Sequence, residues 1–87
     1  MQVEISEAES RALNKLRGLP QGVFMMIVTA RPLAQGETLQ GEEASFQELI
    51  EFIDEEIAEG MVSGRAASLL FDLCVRMDPS CADWLGA

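Results

Sequence analysis

The spacing of apolar positions changes several times along this chain, and each change marks an element. Gln2 to Ser6 alternates polar and apolar, with Val3 and Ile5 on one side, the pattern of a half-buried strand. Ser6-Glu7-Ala8-Glu9 then has the form of a capping box, and Ala8, Ala12, Leu13 and Leu16 make a narrow stripe that predicts a helix down to Arg17. Gly18-Leu19-Pro20 suits a left-handed cap followed by a stop.

Residues 22–30 are almost continuously apolar, rich in branched and aromatic side chains, and bounded by Gly22 and Pro32. A run this short predicts a strand buried on both faces; a buried helix is the alternative, because periodicity cannot separate the two when no polar position breaks the run. From Arg31 to Ala44 come Pro32, Gly36 and Gly41 among polar fillers, the longest expected connection and the segment best suited to adapt to a partner, with room for a short extra strand at Glu37 to Gln40.

The second helix is the best-signalled element. Ser45 and Glu48 have capping-box spacing, and Phe46, Leu49, Ile50, Ile53 and Ile57 follow the 3.6-residue period. Glu42 and Glu43 precede its positive end, where negative charge is favourable. Gly60 closes the helix, and Ser63 is positioned to cap a third, Gly64 to Met77, with Ala66, Leu69, Leu70, Leu73, Cys74 and Met77 on one side. The short connection predicts an antiparallel hairpin. Asp78-Pro79 stops the third helix, and Ser80 to Leu85 has the composition for one further turn carrying Trp84 and Leu85 over an open end of the core.

Together these elements predict a small two-layer α+β domain: a short right-handed β-α-β start, then an antiparallel helical hairpin packed on the sheet, and a short C-terminal helix. An all-α bundle is the alternative. Two strands alone make a marginal sheet, so a third must come from the 33–41 segment or from a second copy at the edge. Eighty-seven residues with 48% hydrophobic content fit one folded domain, large enough to stand alone but burying only about 60–65% of its extended-chain surface.

Charge changes the picture more than composition does. The segment 32–64 holds nine acidic residues and no Lys or Arg, while the remainder carries six acids and six bases, so this one stretch accounts for the net charge of −9. An excess of this size repels phosphate backbones and anionic headgroups, which disfavours nucleic acid and membrane surfaces and makes a basic protein surface the natural partner. The run Val23 to Val28 is far too short to span a bilayer. Met1-Gln2-Val3-Glu4 has no basic start leading into an apolar stretch, so the expected address is cytoplasmic, with Cys74 and Cys81 as reduced thiols.

Two helix faces are the candidate sites. Glu48, Glu51, Glu55 and Glu59 fall within a sector of roughly 80° opposite the apolar stripe, at about 100° per residue. A solvated face that maintains solubility and an electrostatic docking strip both fit this row, whereas a divalent-cation site does not, since side chains along a straight helix cannot wrap an ion. On the third helix Phe71 and Val75 project opposite Leu69 and Leu73, leaving a polar strip of Arg65, Ser68, Asp72 and Arg76 in which Asp72 and Arg76 are spaced for an i,i+4 pair. A helix apolar over most of its circumference must be central, or covered by a partner or a second copy in a homo-oligomer.

Catalysis has little support. The chain has no histidine and no tyrosine, Cys81 lies between Asp78 and Asp83, and neither a zinc spacing nor a phosphate loop is present, so neither enzyme nor cofactor is expected. The expected function is a non-catalytic, regulatory protein–protein interaction module presenting an acidic and an apolar helix face. An inhibitor or immunity-like protein neutralising a basic partner is the nearest alternative, and a small thiol-dependent or carboxylate enzyme the alternative of a different class.

Overall fold

The computed structural model describes residues 1–81 and contains three strands and four helices: β1 (Gln2–Ser6), α1 (Glu7–Asn14), α2 (Gln21–Val28), β2 (Arg31–Leu33), β3 (Gly36–Gln40), α3 (Glu43–Ala58) and α4 (Gly64–Met77). This is a small α+β domain, and its sheet excludes the all-α bundle. The predicted turn at 80–85 falls partly outside the described residues, as do Trp84 and Leu85; within them, one 3₁₀ turn covers 79–81.

The first strand and helix form as their residues dictate. Ser6 accepts a hydrogen bond from the Glu9 amide while Glu9 Oε1 accepts one from the Ser6 amide at 2.8 Å, a complete capping box. The next segment differs from the expected strand: residues 21–28 are helical. Val23, Met26 and Ile27 point into the core at i, i+3 and i+4 spacing, while Phe24, Met25 and Val28 are 52%, 48% and 55% exposed. The period was hidden because this helix is apolar on its outward face as well. Pro20 begins it by accepting from the Phe24 amide, and Thr29 ends it with its hydroxyl on the Met25 carbonyl.

With 21–28 helical, the expected right-handed β-α-β unit does not exist. The sheet is antiparallel, in the order β1-β3-β2. Gly36–Gln40 is the extra strand expected at Glu37 to Gln40, and it forms a hairpin with Arg31–Leu33, a strand from the stretch otherwise read as the longest connection. Gly36 is obligatory there: its φ is +148°, and a Cβ would lie 2.0 Å from the Ile5 carbonyl oxygen.

Both outer edges of the sheet are blunted. Met1 and Gly41 exchange backbone hydrogen bonds, so by antiparallel alternation Val3 and Ile5 bond to β3 while Gln2, Glu4 and Ser6 turn their polar groups outward. Arg76 donates to the outward Glu4 carbonyl, and Glu9 takes the Ser6 amide. On the opposite edge the same alternation turns the backbone of Pro32, which has no N–H, away from β3.

α3 begins two residues earlier than the predicted cap. Glu42 is the N-cap, without a side-chain bond, and Ser45 sits inside the first turn, so Ser45 and Glu48 do not form a capping box. Gly60, at φ +77°, closes α3 as expected, with the Met61 amide reaching back to the Glu56 carbonyl. Ser63 occupies the N-cap of α4 but makes no side-chain cap. The start of α3 (Phe46, Ile50) lies beside the end of α4 (Met77, Pro79), which makes the hairpin antiparallel as predicted.

The elements close into a ring. α1 and α2 approach the sheet most closely, α4 packs on α1, α3 on α2, and α3 on α4. One core fills the centre, contributed by Ile5 and Leu39 of the sheet, Leu13, Val23, Phe46, Leu49 and Ile53 of the first three helices, and Leu70, Leu73 and Cys74 of α4. The molecule therefore has two helical flanks, α1 with α4 and α2 with α3.

Candidate functional site

The acidic row is where its spacing predicts. Glu48, Glu51, Glu55 and Glu59 are all exposed on α3, while Phe46, Leu49, Ile50 and Ile53 are buried on the opposite face. None of the four takes part in an ion pair among the described residues. Like charges spaced three and four apart cost the helix about 0.2–0.5 kcal/mol per pair. Electrostatically the row therefore detracts slightly from the fold.

Its surroundings were not foreseen. α2 lies antiparallel beside α3: a Cβ on Gly22 would stand 3.6 Å from Ser45 Oγ, and Met26 packs near Phe46 over Gly41. Pro20, at the head of α2, closes a shallow depression of about 190 Å³ whose other walls are Glu48, Glu51, Phe52 and Glu55. The helical wheel puts Glu48, Glu55 and Glu59 on the α2 side of α3, one step outward from Ser45 and Phe52. The carboxylates thus border the helix whose outward face carries exposed Phe24, Met25 and Val28.

Phe71 and Val75, the apolar pair predicted on α4, are half-buried. Val75 packs against the core, and Phe71 makes contacts of its own. Among the described residues the most exposed apolar helix face belongs to α2. Sequence reasoning missed Phe24, Met25 and Val28 because a run read as a doubly buried strand has no outward face. The available signal was Pro20 ahead of the run together with the absence of any alternation within it.

No protein-family model, curated protein or solved structure matches this chain. The functional reading therefore rests on the chain's own chemistry.

Ionisable groups drawn inside serve the fold. Glu9 is buried, bonded to the Ser6 amide through one oxygen and to Arg76 through the other. Arg76 was expected to pair with Asp72 along its own helix; instead it crosses to α1, where a buried carboxylate offers a stronger partner than an exposed one. Cys74 and Cys81 are free and buried. Burial, the neighbouring thiol and Asp54 push Cys74 up to about 12, and burial, Asp78 and Asp54 push Cys81 upward too. Such thiols are protonated at neutral pH and poor nucleophiles. Among the described residues no three His, Cys, Asp or Glu side chains gather as metal ligands, and no helix is long and apolar enough to cross a membrane.

Proposed function

We propose that this protein is a non-catalytic interaction module whose α2/α3 flank docks a basic protein surface. The observation that carries the reading is the adjacency of two features that the fold leaves facing water: the carboxylate row of α3, with no ion pair among the described residues, and the half-exposed apolar face of α2. Carboxylates beside apolar anchors suit a partner segment with Lys or Arg along one edge and large apolar side chains along the next. The charges would govern rate and salt dependence, and Phe24 and Val28 the residence time. The protonated state of Cys74 and Cys81 supports a non-catalytic role, and their reduced form suits a cytoplasmic setting.

A synthetic basic amphipathic peptide titrated into the protein tests this. Binding should weaken steeply with added salt, fall about tenfold in the double variant Glu51→Gln, Glu55→Gln, and fall again in Phe24→Ser. Equal affinity in wild type and the Gln variant would refute the carboxylate row as the docking strip.

A further inference from the structure

The opposite flank has the complementary character. Three of the chain's six basic residues, Arg11 of α1, Lys15 at its C-cap and Arg65 of α4, line a groove of about 440 Å³ between these helices, with Ala8, Ala12, Ala66 and Leu69 as its floor. A second depression of about 290 Å³ shares Ala12, Lys15 and Ala66 with it and extends it past Leu16 to Met61, which at 73% is the most exposed large apolar residue among those described. The groove is therefore cationic at one end and apolar at the other. Arg11 has one partner, Glu7 at 3.6 Å, and both side chains are mostly exposed, so little is lost by exchanging it.

We infer that copies of this chain associate head to tail, the acidic α3 face of one lying in the cationic α1/α4 groove of the next. This rests on the reading of the α3 row as a docking strip and names its partner. The occupant follows from charge and spacing. Arg11 and Lys15 stand one helical turn apart, about 6 Å along the axis, and so do Glu51 and Glu55, so two helices laid side by side bring the pairs into register. The apolar parts match as well, since the helix bordering the acids, α2, carries an exposed apolar face and Met61 and Leu69 flank the bases. A nucleic acid offers negative charge but would meet a chain of net charge −9, whereas at physiological salt a screening length of about 8 Å lets two local patches attract despite the like net charges. The two patches lie on different flanks of the ring, so the contact is heterologous: each copy uses one flank and leaves the other open for a third.

Sedimentation velocity over a range of protein concentrations tests this with two charge-reversed variants, one Glu51→Lys with Glu55→Lys, the other Arg11→Glu with Lys15→Glu. Wild type should show a mass that climbs with concentration past the dimer at physiological salt, where the net charges are screened but the touching patches are not, and returns to the monomer at high salt. Each variant alone should remain monomeric while keeping a native circular dichroism spectrum, and mixing the two should restore association, because the reversed faces complement each other. Wild type that is monomeric at every concentration, a species that stops at the dimer, or persistent association of the Arg11→Glu, Lys15→Glu variant would each overturn the proposal. An acidic peptide that binds the groove of a strictly monomeric protein would overturn it too, in favour of a different acidic occupant. The basic-peptide titration separates the two readings: a monomeric wild type that still binds that peptide through Glu51 and Glu55 keeps the docking strip and removes only the second copy.

Discussion

Glu9 and the row Glu48, Glu51, Glu55, Glu59 are the same kind of residue treated in opposite ways. Glu9 is 5% exposed and spends both oxygens on the fold, one on the first turn of α1 and one on Arg76 from the far end of the chain. The four glutamates of α3 stand in water with no ion pair among the described residues. A carboxylate that the fold needs is drawn inside and satisfied; one that it does not need is left where another molecule can reach it. That contrast, more than the count of acids, is the observation on which the proposed docking role of α3 rests.

The contrast between inside and outside should be most visible at high pH. Cys74 ionises near 9.0 in an unfolded chain and near 12 when folded, so its folded state holds the proton longer and stability is intact below pH 9 and declines as pH rises toward 12, by about 1.4 kcal/mol per unit. Urea titrations at pH 8, 9.5 and 11 should show this decline in wild type and a clearly shallower one in Cys74→Ala; parallel declines would mean that the thiol is not sealed. Next in size is Glu9→Ala, expected to cost about 2–3 kcal/mol, because it leaves Arg76 and the Ser6 amide without their partner; the half-exposed Arg76 keeps the loss below that of a fully buried pair. Chemical denaturation measures it, and a change under about 0.5 kcal/mol would erase the distinction drawn above. Smallest is Glu51→Gln with Glu55→Gln, which should stabilise by a few tenths of a kcal/mol through relief of repulsion. Any clear destabilisation in the same assay would give the row a structural role.

Much of this was legible in the sequence where a local rule had no competitor. The Ser6–Glu9 box, the stripe from Phe46 to Ile57 and the Gly60 stop each state their structure within a few residues. The carboxylate row followed from the stripe, because fixing one face of a helix fixes the other. The 22–30 run failed for the converse reason: apolar on all sides, it offered no phase, and the rule preferring strands for short runs filled the gap. That misreading left Arg31–Leu33 in a connection, although the strand at 37–40 and the need for a third strand from the 33–41 segment were both legible. Arg76 was misassigned because neighbours along a helix are visible in a sequence, whereas a glutamate 67 residues away is not. The cationic groove was invisible for the same reason, with Arg65 reaching Arg11 and Lys15 only through the packing of α4 on α1.

Pro32 touches none of the core, yet it closes one side of the sheet by withholding a single donor, as Arg76 and Glu9 close the other. A chain so rich in greasy side chains would otherwise offer every newly made copy a template for fibre growth. With those borders shut, growth of the sheet from copy to copy is opposed at both sides, and exchange of Pro32 for a residue with an N–H would restore a free donor to one of them.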